Sequence, residues 1–337
     1  MKTTNGDRMN TRRKLVIALG AGVCAPSASF AQAAGKVWRV GFLAQRHVDF
    51  VDADSIFGPF TQGMLELGYA VGRNLVIEWR SAEGDASRLP ALAAELVRLK
   101  VDVLALAGTP AAFAAQKATT AIPIVMIGVG DPVGNGLVKS LARPGGNSTG
   151  LSNMAAELGP KLLEILHSMV PRLKRGAVLV NPSNSATAIF LQNTQAAAQR
   201  IGVKVHPVGA STPGEMAGAF ALMTRQNVEA FVMPLEALFQ QERTQIVELA
   251  ARQRLPAISG FADFTGAGGL MSYGQNSREN FRRAAIYVDK IFKGANPGDL
   301  PVEQPTTFEM TVNLKTAKTL GIKVPQSVLI QATRVIE

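Results

Sequence analysis

"ALAGTPAAFAAQKATT", Ala105–Thr120, is the stretch on which the fold turns. An apolar run, Val103–Ala107, stops at Gly108, and Thr109, Pro110 and a string of alanines follow. Proline is favoured at the first position of a helix, because its fixed φ suits the turn and its missing N–H would find no partner there. Threonine just before it is a good capping residue. The stretch therefore reads as strand, short turn, helix. A helix start presents free backbone N–H groups and the positive end of the dipole, a setting that suits an anion.

The same alternation extends in both directions from this point. "VWRVGFLA", "NLVIEW", "VDVLALAG" and "IPIVMIG" read as strands, the last two apolar throughout, as expected for a parallel sheet covered on both faces. Between them lie "FGPFTQGMLELGY", a helix ending at Gly68, and "ASRLPALAAELVRL", which puts Leu89, Leu92, Ala93, Leu96 and Leu99 on one face. A further helix is expected after Asp131, capped by its carboxylate with Pro132 at the first position. The rhythm breaks at "LARPGGNSTGLSN", Leu141–Asn153, then restarts. A helix with Leu158, Leu162, Ile165, Leu166 and Met169 facing inward leads into the strands "AVLVNP", "VKVHPV", "EAFVMP" and "PAISG". "FADFTGAGGLMSYGQN" is a second break. A helix carrying Phe281, Ala284, Ala285, Val288 and Phe292 on one face precedes a third, "KGANPGDLPVEQPTTFEMTVN", and the chain ends in a short helix and a tail. The expected fold is α/β, two doubly wound parallel-sheet lobes joined by three crossovers. The N-terminal lobe is expected over 37–148 plus 270–295, and the C-terminal lobe over 149–269 plus 296–337.

The first thirty-odd residues read differently. "RRK", Arg12–Lys14, precedes the apolar run Leu15–Val23, and small residues lead to "AQA", Ala31–Ala33. Charged start, short apolar core and A-x-A site describe a secretory signal peptide over 1–33, cleaved near Ala33. The apolar run is shorter than the ~20 residues that span a bilayer. Cys24, the sole cysteine, is preceded by Val23 rather than by the small residue of a lipoprotein signal, so no lipid anchor is expected. Cleavage removes Lys2, Arg8, Arg12, Arg13, Lys14 and Asp7 and takes the formal charge from +10 to +6. The remaining cations are scattered with few aromatics among them, which argues against nucleic acid as a partner. The expected address is the periplasm.

Motifs with chemistry are few. "GNSTG", Gly146–Gly150, has the G-x-S-x-G spacing of a nucleophile elbow, and an exported α/β hydrolase using Ser148 is the alternative reading. The elbow needs a strand before the serine and a helix after it. Here a loop precedes and the strand-like "LSN" follows, and neither His167 nor His206 has an acid placed to orient it. "GVGDPVG", Gly128–Gly134, is a loose dinucleotide fingerprint in which Asp131 would repel a phosphate. A cytosolic ligand-sensing regulator would need a DNA-binding segment where the signal peptide stands. His47, His167 and His206 are far apart and show no metal-ligand spacing. No metal, cofactor or catalytic residue is expected. What remains is a set of polar residues at strand ends: Gln45, Thr109, Asp131, Asn181 with Ser183 and Asn184, Glu236 and Ser259. Ligands of doubly wound sheets bind outside the carboxyl ends of the strands, although each of these residues also fits a plain turn or cap.

The stretches "FTQGMLELGYAVGRNLVIEWRSAEGDASRLP…IPIVMI", "DPVGNGLVKSLARPGGNSTGLS", "GGLMSYG" and "LPVEQPTTFEMTVNLKTAKTLGI" together resemble the ABC transporter substrate-binding family related to tryptophan-binding receptors. The resemblance runs from about Val40 to the C-terminus. It implies a type I periplasmic binding protein: a monomer that closes two lobes on a small ligand, an amino acid or related carboxylate, and hands it to a cognate ABC permease in the inner membrane. It also implies that Thr109 and the N–H groups after Pro110 hold a ligand carboxylate. Asp131 or Glu236 would then meet an ammonium group, and Phe261 and Tyr273, at the linkers, would pack on an apolar part.

Overall fold

Apolar runs of five to seven residues, too short and too β-branched for helices, pair side by side, and amphipathic helices cover both faces of the sheets they form. The computed structural model describes residues 36–47 and 57–337. The expected signal peptide and its cleavage site lie outside the described residues. In chain order the elements are β1 Trp38–Ala44, α1 Gly58–Glu66, β2 Leu75–Ser81, α2 Leu89–Arg98, β3 Val103–Ala107, α3 Thr109–Ala118, β4 Ile124–Val129 and β5 Ser148–Ser152. There follow α4 Ala155–Met169, β6 Arg175–Val180, α5 Ala186–Arg200, β7 Lys204–Gly209, α6 Met216–Arg225, β8 Ala230–Met233, α7 Ala237–Gln241, α8 Arg243–Arg252, β9 Ala257–Ser259, α9 Asp263–Gly266 and β10 Met271–Gly274. The last are α10 Ser277–Phe292, β11 Glu309–Asn313, α11 Leu314–Leu320, α12 Gln326–Gln331 and β12 Arg334–Ile336.

The first sheet has the order β2-β1-β3-β4-β5 and is parallel throughout. Phe42, Phe57, Phe60 and Phe281 pack edge-on or stacked on one of its faces, and Leu43, Leu96, Leu104 and Met126 fill the other. The second sheet has the order β12-β11-β10-β9-β8-β6-β7, parallel except where β10 meets β11. Its two faces are covered by Leu162, Leu166 and Phe190 on one side and Phe220, Phe231 and Phe239 on the other.

The sheet pairings move the expected lobe limits. Residues 149–152, expected in the second lobe, belong to β5, whose partner is β4 of the first sheet. Met271–Gly274, expected in the first lobe, is β10 of the second sheet. Residues 296–303, expected in the second lobe, run along β5, with Leu151 bridged to Glu303 and the Thr149 hydroxyl donating to the Leu300 carbonyl. The chain thus passes between sheets at Asn153–Met154, at Gln275–Asn276 and after Glu303. Both misplaced strands are short, mix polar with apolar residues and lie in Gly-rich stretches, so they lack the continuous apolar signature of an interior strand. α10 returns from the second sheet to complete the core of the first, bringing Phe281, Ala284 and Val288 against it.

Two local expectations also change. Gly108, with φ +89°, is the residue before α3, so Thr109 and Pro110 occupy its first two positions. Asp131 caps a turn rather than a helix: its Oδ1 accepts from Gly134 N at 2.8 Å, and Asn135 N and Leu137 N return to Asp131 and Pro132. Gly134 and Gly136, the latter at φ +72°, favour turn over helix there.

Candidate functional site

The carboxyl ends of both sheets face one another across a cavity of about 90 Å³. Most of the lining groups come from the end of a strand or the start of the next helix. The first lobe supplies Arg46 after β1, Gly108–Pro110 after β3 and Gly128 and Gly130 at the end of β4. The second supplies Asn184 and Ala186 after β6, Leu235, Ala237 and Gln240 around α7, and Phe261 after β9. The connections contribute Asn153, Ala155, Gln275 and Ser277. An adjoining cleft of about 380 Å³ shares Pro110 and Asn184 and is walled by Leu89, Pro90, Phe113 and Lys117. The inner cavity is smaller than the roughly 150 Å³ of a cavity that takes benzene. It therefore suits the polar head of a ligand, with the adjoining cleft open to a larger body.

Four helices of ten or more residues begin at this cavity: α3, α4, α5 and α10. At three of them an asparagine side chain already accepts a helix N–H. Asn153 Oδ1 takes Ala155 N at 2.9 Å, Asn184 Oδ1 takes Ala186 N at 3.1 Å, and Asn276 Oδ1 takes Glu279 N at 3.3 Å. α3 has no side-chain cap. Its first helical bond runs from Ala112 N to Gly108 O, so the N–H groups of Thr109 and Ala111 take no partner among the described residues. Thr109 is 4% exposed, and its hydroxyl accepts from Gly130 N at 3.1 Å. That bond uses a lone pair and leaves the hydroxyl proton to donate into the cavity. The start of α3 is thus an open set of donors beside a buried hydroxyl, where a charge-assisted hydrogen bond is strong.

Arg46 adds a full positive charge. Its guanidinium lies 5.1 Å from the centre of the Phe57 ring and forms no ion pair among the described residues. Burial lowers its pKa to about 10, with Asp263 acting in the opposite direction and Arg243 adding to the lowering, so it stays a cation at neutral pH. Gln275 is 7% exposed, and its Oε1 has no partner among the described residues.

Of the ten residues expected at a site, Thr109, Asn184 and Phe261 line the cavity, and Ser183 lines the adjoining cleft. The others are placed elsewhere. Glu236 caps α7 through Leu238 N and Phe239 N and accepts from Asn181 Nδ2 at 2.9 Å. Burial raises its pKa, against those hydrogen bonds, which favour the ionised form. Asn181 Oδ1 in turn holds Ser183 through its N–H and hydroxyl. Ser259 Oγ accepts from Phe261 N, and Tyr273 stacks on Phe308 at 5.6 Å. Asp131 is used in its turn, and Gln45, 1% exposed and with its amide unpartnered among the described residues, is not among the lining residues. Neither Asp131 nor Glu236 reaches the cavity, so the acids expected to meet an ammonium are elsewhere. The reading of strand ends missed Arg46, Asn153, Gln240 and Gln275. Asn153 and Gln275 follow β5, of which the sequence pattern marked only "LSN", and β10, which it did not mark, and Arg46 follows Gln45 directly.

Ser148 opens β5 after a loop, and its hydroxyl lies 2.8 Å from Gln116 Nε2, which donates to it. This is the reverse of the strand-then-helix setting of a nucleophile elbow. No group of three or more His, Cys, Asp or Glu residues able to hold a metal is found among the described residues.

The family described as ABC transporter substrate binding protein matches residues 48–336. A tyrosine-binding protein of Clostridioides difficile (strain R20291) is 28% identical over 276 residues, 82% of this chain and 79% of that protein. A domain from Streptococcus pneumonia solved in complex with L-Trp superposes with a TM-score of 0.81 at 27% identity, over 89% of this chain and 99% of that one. The ligand-free, open structure of a substrate binding protein with adhesive properties from Clostridium difficile gives 0.61 at 25% identity, over 89% and 99%. At similar identity, the chain follows the ligand-bound relative more closely than the open one. The architecture is that of type I periplasmic binding proteins. The family and these neighbours are solute-binding proteins, not enzymes.

Proposed function

The chain belongs to the ABC transporter substrate binding protein family, and on that premise we propose that it is an exported, monomeric receptor for a small organic carboxylate, an amino acid or related acid. It closes two lobes on this ligand and delivers it to a cognate permease in the inner membrane. The observation that carries the reading is the uncapped start of α3 with the Thr109 hydroxyl beside it, facing a cavity between two sheets. The tyrosine-binding and L-Trp-bound relatives favour a carboxylate as the group held there. Phe261 and the adjoining cleft offer apolar surface for the rest of the molecule.

Closure is supported by contacts across the gap. His47 N donates to Gln241 Oε1 at 3.0 Å on one side, and Ser185 Oγ meets Asn135 Oδ1 at 3.1 Å on the other. Export is supported by the "RRK", apolar and "AQA" pattern, and no helix among the described residues is long and apolar enough to cross a membrane.

A thermal-shift screen of amino acids, aromatic acids and dicarboxylates tests the reading. At a hundredfold excess over Kd, a ligand that binds only the folded chain adds about 2.7 kcal/mol, a rise of roughly 2–8 °C in Tm. Thr109→Val keeps the shape and deletes the hydroxyl. The best hit should bind it about 10- to 150-fold more weakly, the loss of about 1.5–3 kcal/mol expected for a hydrogen bond to a charged group. Equal affinity would remove Thr109 from the site and leave the start of α3 as a plain strand-to-helix turn.

A further inference from the structure

Among the described residues, the amide side chains of Asn153, Asn184, Gln240, Gln275 and Asn280 line the cavity. The first three are engaged by the protein itself. Asn153 accepts from Ala155 N and donates to Gly128 O, Asn184 accepts from Ala186 N, and Gln240 donates to Asp263 Oδ2. Gln275 and Asn280 are 7% and 8% exposed, and neither side chain makes a hydrogen bond among the described residues. Asn276, between them, supplies the cap of α10, so neither amide is spent on the helix start. A buried amide without a partner is costly, because it gives up water and gains nothing. A ligand that supplies partners removes that cost, and parted lobes restore the water. A half-turn about the last torsion exchanges oxygen and nitrogen, so each amide can accept or donate.

The two amides stand on opposite sides of one crossover. Gln275 follows β10 of the second sheet, and Gly274 before it lies so close to Gly260 that a Cβ would overlap the Gly260 carbonyl. Asn280 is in α10, next to Phe281 of the first lobe's core, and shares a helix face with Ser277, another lining residue. The start of α3 bounds the same cavity of about 90 Å³, so a group that meets the amides lies close to the carboxylate in the ligand. We propose that Gln275 and Asn280 together hold an amino or hydroxyl group on the carbon beside the ligand carboxylate, and that this group, bridging them, pins the crossover in its closed setting. The inference rests on the reading of the site as a carboxylate receptor and deepens it: the start of α3 takes the carboxylate, and this second wall reads what stands next to it.

Matched series titrated calorimetrically at neutral pH test it: L-phenylalanine, L-phenyllactate and 3-phenylpropionate, and the corresponding 2-amino, 2-hydroxy and unsubstituted acids with indole, 4-hydroxyphenyl and isopropyl ends. In any series that binds, the 2-amino or the 2-hydroxy acid should be tighter than the unsubstituted one by about 5- to 150-fold, the cost of leaving buried amides unpaired. Gln275→Met and Asn280→Leu keep the volume and remove the polar atoms. Each should lower that ratio, and the double variant should bring it close to one. The unsubstituted acid should bind the variants at least as tightly as the parent, since in the parent it leaves both amides unpaired. Amides with a structural role alone would weaken every member of a series alike and leave the ratio unchanged. Circular dichroism controls for folding, and if the double variant does not fold, the ratios in the single variants decide. An unsubstituted acid that binds as tightly as its substituted partners overturns the inference and leaves the carboxylate receptor standing. A ratio unchanged in both single variants also overturns it. Binding by no acid of any series removes the receptor reading along with it.

Discussion

Replacing Gly150 with alanine is expected to leave the chain unable to fold its first lobe. Gly150 sits within β5 at φ +129°, where side-chained residues are strained. A Cβ there would fall 2.1 Å from Met126 O and 2.6 Å from Met126 N, backbone atoms of its ladder partner in β4. Neither can retreat without breaking the β4–β5 pairing. The same strand holds the Glu303 segment, through Ser152 N to Glu303 O and Glu303 N to Gly150 O, and it leads directly into a crossover. Overlap with backbone on a conformation already costly falls among the rare substitutions worth about 4 kcal/mol or more, against a total stability of about 5–15 kcal/mol. The expected outcome is insoluble protein, or a Tm depressed by well over ten degrees. A soluble Gly150→Ala protein melting within about 2 °C of the parent would show that β5 does not pair as described.

Gly130→Leu is expected to do the opposite: spare the fold and abolish ligand binding. Gly130 lies just past β4 in the first lobe, at a backbone conformation open to any residue. Its Cβ would stand 3.1 Å from the Cβ of Ala186 and 3.4 Å from that of Ala155, both in the second lobe. Three further carbons have no room between them unless the lobes part, and parted lobes leave the side chain in solvent. Overpacking of this kind costs about 1–3 kcal/mol, and here it falls on the closed form alone. Apparent affinity scales with the population of the binding-competent state. The loss of cavity space adds to the effect, so a weakening of about a hundredfold or more is expected, with the ligand-free Tm within a few degrees of the parent. Gly130→Ala, which asks the neighbours to give by only a few tenths of an ångström, should fall between the two. Full affinity in Gly130→Leu would mean that ligand is held without approach of the lobes at this point.

The strands of the sheet interiors were legible because a strand buried on both faces must be apolar throughout. Val103–Ala107 ends where the sequence says it does. The helix after it starts one residue early, since the positive φ of Gly108 makes the turn by itself. β5 showed only as the strand-like "LSN", and β10 was not legible. "STGLS" and "MSYG" are short and mix polar with apolar residues, and they lie among the glycines that allow the close approaches at those positions. The same gap hid Asn153 and Gln275. Three of the ten expected residues line the cavity because the rule of strand ends depends on topology alone. Whether an acid at such an end turns toward the cavity or into a cap is decided by neighbours distant in sequence. Glu236 is claimed by Asn181, 55 positions away, and by the open start of α7. Composition holds no sign of that pairing.

The most direct test is a crystal structure of the chain with the tightest acid from the screen. A carboxylate is expected between the lobes, its oxygens about 2.7–3.1 Å from Thr109 Oγ1 and from the N–H of Ala111, with the Arg46 guanidinium against it. A ligand bound elsewhere, or one between the lobes with its carboxylate turned away from the start of α3, would contradict it.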